Sequence, residues 1–451
     1  MNIKETIKNR MCSGCGICES ICPKSAIAMQ YNTIGNILPV LNEKCIDCGL
    51  CLTVCPGSSK AKDYDIATDT LFYGNIIKTY IGRSLNSEIY RNSQSGGVVT
   101  ALLYFLFSKQ MIDAAIVSKS SPGYPYPDTV PTIITKKEDL FQTQKSIYTP
   151  VPVLSILKEI ACYNSVAIVG LPCQLEAVKI AQDKGKYKNI TIKIGLICDR
   201  ILSRSIYLSL MPREWNPEDY TCTFKDKSYP LNEMEYSAIF RDKNYKNYKT
   251  ACMVYKANNN IFPLSPYPRH YAKDFFTHPR CRICFNKLNT FADITCGDPW
   301  NMEGVDWQNG DSLVISRNCN GEKLLSKALS DGFITLKECK VEDVIKAQGI
   351  ETRRKRCLAG IEIYKRNAWS IPVVYQRIYN DANDCDDKKI PFKNENKLVR
   401  QFIKTESLSL KKILYSAEKF KKKNAYIMKK NKIKTWFRIL IKTIIYLNRK
   451  K

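Results

Sequence analysis

Eight cysteines in the first sixty residues constrain this chain more than anything else in it. Cys12, Cys15, Cys18 and Cys22 are spaced C-x2-C-x2-C-x3-C and lead into Pro23. Cys45, Cys48, Cys51 and Cys55 repeat the run, each thirty-three positions after its counterpart, and lead into Pro56. Three closely spaced thiolates suit three corners of one iron–sulfur cubane, and the intervening Gly14, Gly16 and Gly49 let the backbone curl around it. Zinc sites more often take ligands in pairs, frequently with histidine. The chain has two histidines, His270 and His278, neither near this segment.

The doubled run is that of bacterial two-cluster ferredoxins, in which the fourth cysteine of each run crosses to the other cluster. The expected sets are therefore Cys12, Cys15, Cys18 with Cys55, and Cys45, Cys48, Cys51 with Cys22. Twenty cysteines in 451 residues, with a polar Met1–Arg10 segment and no apolar signal run, point to reduced thiols used for metal binding. A cytoplasmic location is the expectation.

The length calls for two or three domains. Residues 1–60 form the small ferredoxin-like module, and polar residues 58–70 read as a connection. From about Ile76 apolar runs alternate with helical patterns. Strands are expected at Ile76–Ile81, Ala114–Val117, Ser165–Val169 and Ile192–Ile197, with helices at Val98–Phe107 and Gln174–Ala181. This is an α/β or α+β body over about 75–380. The Tyr, Thr and Phe-rich tract 220–255 reads as a small antiparallel insertion.

Four more cysteines sit at strand ends or in a pair. Cys173 follows Gly170-Leu171-Pro172, Cys198 ends Gly195-Leu196-Ile197, and Cys281 and Cys284 form a C-x2-C pair. On spacing alone they fit a third cubane, a zinc site or unrelated buried thiols. These segments, with Ser95–Leu102, Phe240-Arg241-Asp242-Lys243 and Gly310–Val314, resemble the beta subunit of coenzyme F420-reducing hydrogenase and its related dehydrogenases. The resemblance covers most of residues 1 to about 370. It implies a body domain with FAD and one 4Fe–4S cluster, whose ligands become Cys173, Cys198, Cys281 and Cys284, with Cys296 as a possible substitute. It also makes Gln94, Ser95, Gly96 and Gly97 the candidate flavin cradle, since a helix N-terminus favours phosphate. On the residues alone, a Gly-Gly helix start is better explained as a plain turn and N-cap. Asp293, Asp298, Arg241 and Lys243 are weaker candidates for contact with cofactor or substrate. Asp199-Arg200 and Lys145–Tyr148 depart from the family pattern.

The net charge of +27 is uneven, with fifteen Lys or Arg and one acidic residue between 411 and 451. About half the excess sits in that end and the rest of the chain is only moderately basic, which is not the pattern of a uniform nucleic-acid surface. Within the tail (395–451), Lys434, Arg438 and Lys442 form a cationic stripe beside Trp436, Phe437, Leu440 and Ile444. That pattern suits an interfacial helix on an anionic membrane and is too short and charged to span one. The first expectation is an iron–sulfur flavoprotein oxidoreductase, linking a one-electron carrier such as ferredoxin to an unidentified organic substrate. Related fused chains are associated with polysaccharide biosynthesis. The alternatives are a non-catalytic electron-delivery subunit for a partner protein and a coenzyme F420-dependent reductase.

Overall fold

The computed structural model describes residues 1–61, 63–121, 128–206, 276–306 and 309–384, with short backbone strands between 221 and 264 and isolated positions 412, 415 and 419. The basic tail expected to lie on a membrane falls almost wholly outside the described residues. So do Phe240–Lys243 and His270. No helix among the described residues is long and apolar enough to cross a membrane.

Between the two cysteine runs, β1 (Ile27–Tyr31) and β2 (Ile37–Leu41) pair antiparallel as a hairpin. Each run then enters a short helix, Ile17–Ile21 or Leu50–Thr53, behind a left-handed glycine. The hairpin separates the runs in sequence and returns the second to the first in space.

The body is built on an eight-stranded mixed sheet. Its strands are β3 (Lys78–Ser84), β4 (Ala114–Ser121), β5 (Asp128–Ile134), β6 (Val166–Gly170), β7 (Ile190–Leu196), β13 (Ile294–Gly297), β14 (Ser312–Ser316) and β15 (Ile334–Cys339). Strands β8 (Thr221–Phe224), β9 (Lys227–Pro230), β10 (Met234–Glu235), β11 (Met253–Ala257) and β12 (Asn260–Leu264) make two small antiparallel sheets in the expected insertion. The large sheet runs β15-β3-β14-β13-β7-β6-β4-β5, with a parallel block from β4 to β13 and antiparallel strands on either side. Parallel strands are covered on both faces, so they read as continuous apolar runs, as Ala114–Val117 and Val166–Ile168 do. Helix Pro172–Asp183 makes the crossover from β6 to β7. It opens with proline, whose missing N–H costs nothing at a helix start, and with the Gln174 side chain accepting from Leu171 N–H at 2.7 Å. The expected strands and helices are present, with ends shifted by up to four residues.

Apolar side chains fill both faces of the sheet. On one side Leu102 and Phe105 of helix Val98–Ser108 pack with Leu324 and Leu325 of helix Cys319–Ser330. On the other, Phe72, Phe285, Ile361 and Tyr375 form a second core. Ile17 and Val54 of the cysteine-rich module lie in a third cluster with Leu154, Leu175 and Val178, so module and body share buried surface.

Backbone hydrogen bonds lock this contact. Leu154 N–H donates to Cys15 O at 2.9 Å, and Arg204 N–H to Gly35 O at 3.0 Å. Tyr31 Oη donates to Pro150 O at 3.0 Å, while the Arg204 guanidinium stacks over the Tyr31 ring at 3.7 Å. The stretch read as a connection is strapped to the body. Arg377 Nε lies 2.6 Å from Asp63 Oδ2, and the Tyr64 ring packs against Phe291 at 4.8 Å.

Gly16 is central to the docking. Its φ is +91°, and a Cβ there would fall 2.6 Å from Ser155 N and 2.8 Å from Pro152 O. Gly16→Ala should therefore loosen the module from the body and cut the hydrogen-exchange protection of the Leu154 amide. Gly185→Ala, also at positive φ but with only the Lys188 side chain near at 3.9 Å, should leave that protection in place.

Candidate iron–sulfur centres

The fold brings Cys55 beside Cys12 and Cys18. Cys18 lies in the field of Cys15, Cys12 and Cys55, and Cys12 in that of Cys55 and Cys15. Cys12, Cys15, Cys18 and Cys55 are all buried. Burial raises their thiols, to about 11 for Cys55, because a desolvated thiolate is costly without a cation. Gly14 N–H points at Cys12 Sγ at 3.4 Å.

The second set is nearer the surface. Cys22, Cys45, Cys48 and Cys51 line one shallow cleft with Asn2, Pro23, Ala26, Ile46 and Leu50. Ala26 N–H donates to Cys22 Sγ at 3.3 Å, and Cys48 is exposed. Cys51 lies in the field of Cys48, and Cys18 in that of Cys51, so the two sets are neighbours.

The third group converges at the carboxyl ends of adjacent parallel strands. β6 ends at Gly170 and delivers Cys173, and β7 ends at Leu196 and delivers Cys198. The Pro279–Arg282 turn brings Cys281 beside them, followed by Cys284. Cys173 lies in the field of Cys198 and Cys281, and Cys198 in that of Cys281 and Cys284. Cys173 also lies in the field of Cys15, so this group borders the buried set of the module. Ile201 N–H donates to Cys281 Sγ at 3.3 Å.

These surroundings suit iron–sulfur clusters. Main-chain N–H groups point at sulfur in all three groups, the hydrogen bonding that tunes such centres. Near the third group, both ring nitrogens of the buried His278 and Nδ2 of Asn286 have no hydrogen-bond partner. The Asn286 amide and the one N–H of a neutral His278 ring are donors whose acceptor the protein does not supply. Burial and the nearby Arg280 lower His278 to about 4, so its ring is neutral.

Cys296 is placed elsewhere. It sits in β13 within the core around Leu102 and Ile194, and burial alone pushes its thiol up to about 12. Spacing could not separate it from the other four, because only the sheet decides which face a strand residue takes. Asp199 is explained by charge: Arg200 lies at 2.8 Å and Arg353 at 2.8 Å, and these guanidinium groups hold its carboxyl well below the usual range. Asp293 is structural, accepting from Lys193 N–H at 2.7 Å and Asn318 Nδ2 at 2.8 Å. Asp298 offers its backbone carbonyl to Gln348 Nε2 at 2.8 Å.

Sequence reasoning missed several residues around the third group. Arg280 and Arg353 are buried cations there, and Glu176 is a buried carboxylate. Cys357 is a buried thiol whose Sγ lies 3.0 Å from Ile283 O. The one local signal was Arg280 standing directly before a C-x2-C pair.

The Gln94–Gly97 segment is absorbed by packing. A Cβ on Gly96 would fall 2.3 Å from Gly82 O and 2.7 Å from Ser312 N. Gly96 N–H donates to Ser312 Oγ at 3.0 Å, and Ser95 Oγ donates to Asp311 O. Two of the motifs that carried the family resemblance are thus halves of one contact. What remains for a phosphate is the start of helix Val98–Ser108, which has a left-handed Gly97 and no side-chain cap.

The family models for coenzyme F420 hydrogenase/dehydrogenase beta subunit match residues 79–158 (N-terminal part) and 163–342 (C-terminal part). The chain belongs to this family. A 4Fe–4S dicluster model matches residues 11–59 ahead of it, so the family body carries a fused iron–sulfur module. Among relatives, one of the subunits of the F420H2 dehydrogenase of Methanosarcina mazei is 26% identical over 320 residues, 68% of this chain and 83% of that protein. The coenzyme F420 hydrogenase beta subunit of Methanosarcina barkeri is 25% identical over 301 residues, 64% of this chain and 90% of that protein. One component of the F420-reducing [NiFe] hydrogenase complex from Methanosarcina barkeri is similar in structure at 21% identity. The match covers 64% of this chain and 92% of that one, with a TM-score of 0.48.

Cys296→Ala should leave iron and sulfide per chain unchanged in anaerobically purified protein. Its effect should be confined to stability, at about 1 kcal/mol.

Proposed function

We propose that the chain is the iron–sulfur electron-delivery subunit of a larger oxidoreductase, with three cysteine sets acting as a relay from surface to interior. The observation that carries this reading is the order of the sets. The set of Cys22, Cys45, Cys48 and Cys51 reaches the surface through the exposed Cys48. Cys12, Cys15, Cys18 and Cys55 lie behind them, and Cys173, Cys198, Cys281 and Cys284 lie beyond. Bound 4Fe–4S clusters supply one-electron transfer. The chain's own work is to hold the thiolates, exclude water from the inner sets and keep the module seated on the body.

The sequence ranked a self-contained flavoenzyme first, with a role in polysaccharide biosynthesis as one setting. The relatives named above are subunits of F420-linked enzymes, which favours the electron-delivery alternative. The partner is then another oxidoreductase subunit or a small one-electron carrier. The surface set offers such a partner an apolar contact, with Met1 66%, Ile46 61% and Leu50 42% exposed. A second reading adds FAD and an F420-type two-electron substrate. The uncapped start of helix Val98–Ser108 favours it, since main-chain N–H groups there suit a phosphate.

Anaerobic purification with iron, sulfide and flavin analysis tests both. Three centres require about twelve irons per chain, and Cys198→Ser should reduce that by about four while the module's signals persist in EPR. About eight irons in the wild-type chain would overturn the assignment of the body set. One flavin per chain would establish the second reading, and its absence would leave the relay alone. Ile46→Asp should weaken reduction by the physiological carrier about tenfold in kcat/KM with iron content unchanged.

A further inference from the structure

Arg280 occupies an unusual place. Its side chain is 4% exposed, and it reaches from the Cys281 turn of the body into the cysteine-rich module. Nη2 donates to Pro56 O at 3.3 Å and Nη1 lies 3.5 Å from Met11 O. Those carbonyls belong to the residues next to Cys55 and Cys12. Nη2 also lies 3.1 Å from Glu176 Oε2, and Tyr64 Oη donates to Glu176 Oε1 at 2.8 Å. Cys12, Cys15 and Cys55 on one side, and Cys173 and Cys284 on the other, all lie in the field of this guanidinium.

We propose that Arg280 is a fixed positive charge between the two inner cysteine sets that raises the reduction potentials of both centres and so draws electrons inward. This rests on the cluster assignment above. A cation favours the more negative, reduced form of a neighbouring centre. At about 10 Å and an effective dielectric constant of about 20, one charge is worth about tenfold in a one-electron equilibrium. Packing strength alone does not explain the choice of residue. Burying an ion pair costs heavily, and an apolar side chain of similar volume would hold the two parts together as well. An arginine is also suited to the task because it keeps its proton in a buried site. Glu176 partly offsets the field and gives the arrangement an adjustable second charge. The outer set, with the buried set between, is the most remote from Arg280.

The experiment is an EPR-monitored redox titration of the full chain, purified anaerobically. Arg280→Gln should shift the two inner centres to more negative potential, lowering the ratio of reduced to oxidised centre about tenfold, or 59 mV for one electron. The outer centre should stay in place. Arg280→Lys should restore most of the shift, and Glu176→Gln should move the inner centres in the opposite direction. If Arg280→Lys and Arg280→Gln shift potentials alike, or all three centres move together, the residue is a structural clamp and the proposal fails. It fails too if neither variant moves a potential. Wild-type iron content separates this from the underlying assignment: about twelve irons with unmoved potentials sinks only the role of Arg280. If Arg280→Gln does not retain its clusters, the Glu176→Gln and Arg280→Lys titrations decide by sign.

Discussion

A buried guanidinium joined to carbonyls on one side and a carboxylate on the other defines how two thiolate-rich segments meet. Arg280 ties Met11 and Pro56 of the module to Glu176 of the body. Placing that charge away from water is tolerable only with partners on every side. The Leu154–Cys15 and Arg204–Gly35 main-chain bonds and the shared core around Ile17 and Val54 supply the rest. Without that seat, the module would be tethered to the body by the chain alone, and Cys15 would not lie beside Cys173. The structural decision is therefore made at an interface inside the chain.

The sheet serves the same end. In open α/β sheets, sites form where parallel strands deliver loops from their carboxyl ends. Here β6 and β7 deliver Cys173 and Cys198 as neighbours, although twenty-five residues separate them. The Pro279–Arg282 turn then closes the set from a segment about eighty residues later. Cations collect around it, with Arg280 and Arg353 both buried beside thiols. Such charges make a cysteine-rich interior compatible with thiolates, which burial alone would disfavour.

The flavin cradle shows the opposite case. Gly96 and Gly97 looked like a ligand loop because paired glycines before a helix permit close approach. In the fold, the close approach at Gly96 is by the chain's own Gly82 and Ser312. A glycine reports that something comes near, not what it is. Cys296 and Cys198 likewise differ little in sequence, each lying at or beside a strand. One faces an apolar core and the other a thiol set, because neighbouring strands and the loop between them decide the face.

The sequence alone determined the doubled cysteine run and the alternation of strands and helices. Those are local patterns, and ligand spacing or apolar periodicity suffices to specify them. Tertiary structure decided which distant cysteines converge, which stay in the core, and where Arg280 and Glu176 sit. These depend on strand order and on the docking of module against body, and no local period encodes either. Cys12, Cys15, Cys18 and Cys55 meet because one hairpin returns the second run to the first; the third set, which the sequence offered only through family resemblance, needs the whole sheet.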